Sequence, residues 1–346
     1  MPLQPYLKRI IEEREVLSRV DAAELLRTIL RSEATDLDLA ALLGSLATRG
    51  PAATEIAGFV DTMREAATPV PLTQAERTLL VDTCGTGADL SGTFNISTAA
   101  ALVAAAAGAG LMVAKHGNRA VTSQCGSADV LEALGIPIGL NPADGAAALR
   151  KHRFAFLHAP AMHPAMKTVM PVRRALGIRT IFHLVGPLSN PAGARAQVMG
   201  VYAPHLVPLA AEAMVLLGTR HAFVVHGDTG SPEGGLDELS ISGPSQLAEV
   251  CDGTITLSTL IPEDLGLRRA PIDSLRGGDA ATNAAILRAI FAGEHSPRRD
   301  VVLLNAAAVL VTAELASDLP SGLLLAAKTI DSGAVTELLT ALARTS

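Results

Sequence analysis

The sequence predicts an α/β protein: a small N-terminal helical lobe, then a larger lobe built on a mainly parallel sheet flanked by helices. Three observations carry that expectation. Apolar residues in the first 68 positions recur at helical spacing, Pro69 and Pro71 then interrupt the chain, and from Leu79 short apolar runs alternate with helical stretches. At 346 residues the chain also exceeds the roughly 100 to 200 residues of most single domains.

In the first lobe, Asp21 precedes a period of Leu25, Leu26, Ile29 and Leu30, and Thr35 precedes Leu39, Leu42, Leu43 and Leu46, a helix stopped by Gly50 and Pro51. Thr54 is expected to cap a further helix carrying Ile56, Phe59, Val60 and Met63. The lobes are therefore expected at 1–72 and 73–346, with part of 160–191 returning to the first.

The second lobe reads as βαβ grammar. Strands are expected at Leu79 to Val81, Leu111 to Ala114, Phe154 to Leu157 and Ala222 to Val225. Helices are expected over Ser97 to Ala107, Ala128 to Leu134, Pro142 to Lys151, around Met166 to Leu176, near Leu206 to Leu217, and from Asn283 onward. The uncharged run Ala99 to Ala114 is Ala- and Gly-dominated, short of the ~20 residues a membrane span needs, and followed by Lys115. It reads as a buried helix running into a strand.

Composition excludes several function classes. Hydrophobic residues are 49% and charged residues 18%, which argues for an Ala-rich globular interior and against disorder. Twenty-eight Lys and Arg against 34 Asp and Glu give a formal charge of −6, with no basic run interleaved with aromatics, so nucleic acid is not an expected partner. Cys84, Cys125 and Cys251 are odd in number, widely spaced and without a CxxC pair. With an N-terminus that carries acidic residues and lacks the apolar core of a signal peptide, a reduced cytoplasmic protein is expected, without a membrane partner.

The densest chemical signal is Cys84-Gly85-Thr86-Gly87-Ala88-Asp89 after a strand, followed by Thr93-Phe94-Asn95-Ile96-Ser97-Thr98 opening a helix. Backbone amides in a glycine loop, together with a helix N-terminus, make a place for an anion, although the same residues also serve as an ordinary strand-to-helix turn. Leu90 stands three residues after Gly87 and no Gly-Lys-Ser/Thr follows, so neither dinucleotide fingerprint nor P-loop is present.

A second segment, Lys115-His116-Gly117-Asn118-Arg119-Ala120-Val121-Thr122-Ser123, ends an apolar strand, where open α/β sheets bind ligands. Two cations, a glycine, an asparagine and two hydroxyls in one short stretch suit a polyanion. Ser127 reads as a helix cap. Asp237 and Glu238 are adjacent carboxylates, which implies either a cation between them, with Mg²⁺ the hard ion such oxygens prefer, or a solvated loop.

Together, GTGADLSGTFNIST, KHGNRAVTSQCGSADVLEALG, HPAMKTVMPVRRALGIRTIFHLVGPLSNPA, GLDELS, GGDAATNAAI and RRDVVLLNAA resemble the anthranilate phosphoribosyltransferase family over nearly the whole chain. The resemblance implies transfer of a phosphoribosyl group from phosphoribosyl pyrophosphate to anthranilate, in tryptophan biosynthesis, by a homodimer joined through its helical lobe. It implies that Gly85 to Asp89, Ala88 included, holds pyrophosphate, that Asn95 to Thr98 and Lys115 hold the 5′-phosphate and sugar hydroxyls, and that Thr93, Ile96, His116 to Ser123 and Ser127 complete the site. Ser97, Asp237 and Glu238 would serve two Mg²⁺ ions, and Arg173 would face the anthranilate carboxylate beside Gly85, His116 and Asn118. His116 is a weak candidate for a general base and a better one for orienting the acceptor.

The chain departs from that pattern at Ala88, where the family shows glycine, at Gln124-Cys125 in place of Lys-Ser, at His183 in place of Asn, and in a longer loop between Gly227 and Leu236. A nucleoside phosphorylase and a non-catalytic phosphosugar-binding protein are the rival expectations.

Overall fold

The computed structural model describes residues 3–108, 110–120, 124–230 and 234–344. Helices α1 (Gln4–Ile11), α2 (Arg19–Leu30), α3 (Asp36–Arg49) and α4 (Ala53–Ala66) form the N-terminal bundle, with the short α5 (Gln74–Thr78) leading into the sheet. The sheet region comprises β1 (Leu80–Gly85), α6 (Ile96–Ala106), β2 (Met112–Gly117), α7 (Ser127–Ala133), α8 (Pro142–His152), β3 (Phe154–His158), α9 (Ala159–Met162), α10 (Met170–Leu176), α11 (Phe182–Leu188), β4 (Ala196–Gly200), α12 (Leu206–Leu216) and β5 (His221–Asp228). It continues with β6 (Gly235–Leu236), β7 (Ser245–Cys251), β8 (Thr254–Leu260), α13 (Ala280–Phe291), α14 (Pro297–Thr312), α15 (Leu319–Asp331) and α16 (Ala334–Ala343).

The strand order is β3-β2-β1-β4-β5-β7-β8, with β6 on β5. Strands β3 to β5 along this order are parallel, and β6, β7 and β8 are antiparallel. The chain winds outward from β1 in both directions, Val81 pairing with Val113 on β2 and with Ala196 on β4. That makes β1 the topological switch, and the crevice beyond its C-terminal end is where such sheets receive ligands.

Burial explains why these elements form where they do. Ala99 to Ala104 in α6 are fully buried between the sheet and α14, small side chains letting backbone layers approach closely. Burying each Val, Leu, Ile or Phe contributes roughly 1.5–3 kcal/mol, so the apolar strands β1 and β2 are anchored by their own residues. On the opposite face α12 lies between β5 and α4, while α10 packs on α3 and α11 on α4. Val169, Val172, Phe182 and Val185 share one apolar core with the N-terminal helices. Among the described residues no helix is long and apolar enough to cross a membrane.

Two expected caps are corrected. The helix assigned to Thr54 starts at Ala53, and Thr54 Oγ1 instead donates to the Leu17 carbonyl at 3.0 Å, tying α4 to the preceding loop. Gly126 rather than Ser127 is the N-cap of α7, because Asp129 accepts from Gly126 N–H and leaves Ser127 Oγ to donate to the Asn118 carbonyl at 3.2 Å. Strands β4, β6, β7 and β8 lie beyond the expected set. The β7–β8 connection is Asp252-Gly253 at φ 45° and 83°, a two-residue hairpin turn whose Asp-Gly signal stands in the sequence.

The helical lobe is held by one buried ion pair. Glu55, 1% exposed, accepts from the Arg49 guanidinium at 2.6 Å, from Leu17 N–H at 3.1 Å and from Ala52 N–H at 2.9 Å. Removing one partner of such a pair strands the other in a desolvated site. Glu55→Ala is expected to lower the unfolding free energy by about 3–5 kcal/mol in urea denaturation; a loss below ~1 kcal/mol would mean that water replaces the carboxylate.

Candidate functional site

The turn after β1 is shaped against local preference. Gly87, Ala88, Leu90 and Gly92 all take left-handed φ, at 66°, 62°, 60° and 66°. For Ala88 and Leu90 that costs roughly 1–2 kcal/mol each, because Cβ crowds the carbonyl oxygen. Tertiary contacts hold the turn: Thr86 N–H donates to the Gly200 carbonyl at 2.9 Å, Tyr202 N–H donates to Thr86 Oγ1 at 3.0 Å, and the Arg179 guanidinium donates to the Ala88 carbonyl.

The acidic pair closes over this turn. Asp237 Oδ2 accepts from Gly87 N–H at 2.7 Å, and Asp237 N–H donates to Asp89 Oδ2 at 3.3 Å. A Cβ on Gly85 would stand 2.1 Å from Asp237 Oδ2, and one on Gly200 would stand 1.5 Å from the Asp237 carbonyl oxygen, so both strand ends must be glycine. Glu238 Oε1 accepts from Ser97 N–H at 2.9 Å at the start of α6, which brings the two distant motifs together.

Burial, then the charges of Asp89 and Glu238, push the Asp237 carboxyl well above the ordinary range. Burial likewise raises Glu238 to about 7, against the pull of Lys115 and the Ser97 N–H. Three carboxylates so arranged are short of positive charge, and hard oxygens are the donors Mg²⁺ takes. Asp237 and Glu238, with Ser97 beside them, therefore fit a divalent cation. Among the described residues no three His, Cys, Asp or Glu side chains form a cage for a metal, so such an ion would complete its shell with water and substrate oxygens.

Lys115, 1% exposed, sends Nζ from β2 across to the Thr83 carbonyl at 2.6 Å and to Ser97 Oγ at 3.3 Å. Asn95, the residue before α6, is gripped from two sides, donating to the Cys125 carbonyl at 3.2 Å and accepting from Asn283 Nδ2 at 2.9 Å. Ile96 points into the core, and the buried Thr98 Oγ1 has no hydrogen-bond partner among the described residues. Thr93 bridges to Arg276 and its hydroxyl stands 3.2 Å from Ser91 Oγ.

The second segment turns sharply at Gly117, where a Cβ would meet Ser127 Oγ at 2.4 Å. Asn118 accepts from Ala128 N–H and Ser127 through its carbonyl, Ala120 N–H donates to Asp129, and the Arg119 guanidinium is tied at 2.9 Å to both Asp129 and Glu132. Val121, Thr122 and Ser123 lie outside the described residues.

His116 is 6% exposed with its ring edge toward His163, centroids 5.1 Å apart, and its buried Nε2 has no hydrogen-bond partner among the described residues. Burial first, then His163, lower its pKa to about 3, so the imidazole is neutral at physiological pH. Arg173 rests over the Phe182 ring at 5.2 Å, desolvation lowers its pKa, and among the described residues no carboxylate pairs with it. A partly buried guanidinium in that state fits an incoming carboxylate.

Several positioning residues escaped the sequence reading. Asp82, fully buried in β1, accepts from His116 N–H at 3.2 Å and from Asn190 Nδ2 at 2.8 Å, and Asn190 also donates to the Ala114 carbonyl. Asn305 accepts from Leu239 N–H and donates to its carbonyl, both at 2.9 Å, clamping the acidic segment. Asn190, Asn283 and Asn305 each lie inside one of the matching segments, which was the available signal.

Residues 77–336 match the glycosyl transferase family a/b domain, and residues 4–67 match that family's helical bundle domain. Anthranilate phosphoribosyltransferase from Chloroflexus aurantiacus is 49% identical over 341 residues, 98% of this chain and 97% of that protein. The enzyme of the same name from Roseiflexus sp. is 50% identical over 336 residues, 96% of this chain and 95% of that one. The Thermus thermophilus structure of anthranilate phosphoribosyltransferase superposes with a TM-score of 0.89 at 41% identity, covering 98% of each chain. The Saccharomyces cerevisiae enzyme in complex with PRPP and Mg does so with a TM-score of 0.87 at 27% identity, covering 100% of this chain and 98% of that one.

Asp82 supplies a pH test of the strand arrangement. Burial raises its pKa to about 6, against ~3.9 in an unfolded chain, so the folded state holds the proton more tightly. The unfolded chain releases that proton first, so stability falls as pH rises from about 4 to about 6, by about 3 kcal/mol in all. Relative to Asp82→Asn, the wild type should lose that amount across the window in denaturant titrations. A pH-independent difference would mean that Asp82 ionises as in the unfolded chain.

Proposed function

The chain belongs to the glycosyl transferase family, as one of its anthranilate phosphoribosyltransferases of tryptophan biosynthesis, and from that premise we infer how the crevice above β1 carries out the transfer. The observation that carries the inference is the closure of Asp237 and Glu238 over both the glycine turn and the first turn of α6, with Lys115 beneath.

Gly85 to Asp89 bind the pyrophosphate, Ala88 and Asp89 through their backbone N–H groups because those of Thr86 and Gly87 donate to Gly200 and Asp237, with Thr93 alongside. Asn95 to Thr98 and Lys115 bind the 5′-phosphate and sugar hydroxyls, where the α6 N-terminus favours negative charge. Gly117 to Ala120 and Ser127 close the other side, and Val121, Thr122 and Ser123 belong to the same phosphoribosyl pyrophosphate site. Ser97, Asp237 and Glu238 would hold two Mg²⁺ ions, which would neutralise charge on the leaving pyrophosphate.

Arg173 takes the anthranilate carboxylate in its planar fork, and Gly85, His116 and Asn118 line the same space. The neutral His116 imidazole offers Nε2 to the acceptor and brings no charge that would repel the developing cation on the sugar. The amine nitrogen attacks the anomeric carbon as the carbon–oxygen bond to pyrophosphate breaks, and the nitrogen then sheds one proton. An aromatic amine is already neutral at pH 7, so preorganised electrostatics rather than a strong base carries the rate.

The active species is a cytoplasmic homodimer with lobes at 1–72, joined by part of 160–191, and 73–346. Exposed Ile11, Val16, Val20 and Leu37 on the helical lobe support the dimer, and an odd number of widely spaced cysteines supports a reducing compartment.

Mixing the protein with phosphoribosyl pyrophosphate, anthranilate and Mg²⁺ is expected to quench anthranilate fluorescence as product forms; no loss at high enzyme concentration would sink the reading, and phosphorolysis of thymidine or uridine would replace it with the phosphorylase one. Arg173→Ala should raise the anthranilate KM by roughly 10- to 100-fold, the scale of a charge-assisted hydrogen bond, with the phosphoribosyl pyrophosphate KM near its wild-type value. An unchanged anthranilate KM would mean that another group binds the carboxylate.

A further inference from the structure

Arg179 stands outside every role assigned above. It follows α10 by a short turn, and its guanidinium donates to the Ala88 carbonyl at the crest of the turn after β1. The same guanidinium lies over the Tyr202 ring, its Cζ 4.4 Å from the centroid. Tyr202 in turn donates its N–H to Thr86 Oγ1 at 3.0 Å, so ring and turn form one frame.

That frame meets a need the turn has. Ala88 and Leu90 sit at φ 62° and 60°, a region that L-residues avoid, so local preference does not select this shape and an outside contact must. In a trans peptide the carbonyl and the following N–H point in opposite directions. Holding the Ala88 carbonyl at Arg179 therefore directs the Asp89 N–H away from Arg179.

We propose that Arg179, braced on Tyr202, is a positioning residue for phosphoribosyl pyrophosphate: it fixes the Ala88–Asp89 peptide so that the Asp89 N–H faces the pyrophosphate. The proposal rests on reading Gly85 to Asp89 as the pyrophosphate turn. Arginine suits the task because a planar guanidinium stacks on a ring while donating along its edge, which an ammonium cannot do. Arg179 is exposed, so its loss removes little from the folded core.

The test measures both substrate KM values and thermal unfolding for the wild type, Arg179→Ala, Arg179→Lys, Tyr202→Phe, Tyr202→Leu and the double variant Arg179→Ala/Tyr202→Leu. Arg179→Ala is expected to raise the phosphoribosyl pyrophosphate KM about tenfold, with the anthranilate KM within about twofold and Tm within about 2 °C of wild type. Tyr202→Phe should behave as wild type, Tyr202→Leu should match Arg179→Ala, Arg179→Lys should recover only part of the loss, and the double variant should be no worse than the single one.

A phosphoribosyl pyrophosphate KM that stays within about twofold in Arg179→Ala overturns the proposal. So does a rise shared equally by both substrates with a fallen Tm, or full rescue by lysine, which would mark a direct charge contact with the ligand. A wild type that fails to use phosphoribosyl pyrophosphate brings down the reading of the turn and the proposal together, whereas a competent wild type with an indifferent Arg179→Ala brings down the proposal alone.

Discussion

The site depends on how tightly the acidic segment is wedged between the ends of two neighbouring parallel strands. Asp237 lies against Gly85 at the end of β1 and Gly200 at the end of β4, with no room for a Cβ at either position. From there its carboxylate reaches the Gly87 N–H and its own N–H reaches Asp89, while Glu238 reaches the first turn of α6. One segment thus joins strand ends, anion turn and helix start. Burying carboxylates without full compensation is unfavourable, and a structure that keeps them there holds a place for positive charge.

Asparagines carry the precision of the arrangement. Asn190 links Asp82 on β1 to the Ala114 carbonyl on β2, Asn283 holds the Asn95 side chain, and Asn305 clamps Leu239 just after the acidic pair. Each satisfies donors and acceptors at once in a buried setting, where an unpaired polar atom costs more than a hydrogen bond gains. The asparagines thus hold Asp82, Asn95 and the acidic segment in place from neighbouring elements.

Much of this was legible in the residues. Alternating apolar runs revealed the strands β1, β2, β3 and β5, because a strand buried on both faces must be apolar throughout. The Thr35 cap was readable because a hydroxyl three residues before Asp38 forms a reciprocal capping box. Thr54 and Ser127 misled because cap propensity is local, whereas Leu17 and Asn118 offered their hydroxyls carbonyl partners from elsewhere in the chain. The short strand Ala196–Gly200 follows a proline-rich stretch and draws its identity from pairing with β1 on one side and β5 on the other.

By itself the sequence determined the residue types in play: a glycine turn, a helix opening with Asn95 to Thr98, a lysine on a strand, an acidic pair and the arginine at position 173. These are chemical capacities, and chemistry is written in side chains. Which groups meet was decided only by tertiary structure. Ser97 and Glu238 are 141 positions apart, Gly87 and Asp237 are 150 apart, and Arg179 lies 91 positions from Ala88. Contacts over such separations arise from strand order and layer packing, which bring the ends of β1 and β4 and the start of α6 to one crevice. No local propensity encodes that distance, so the left-handed turn at Ala88 and its brace at Arg179 appear only once the sheet is assembled.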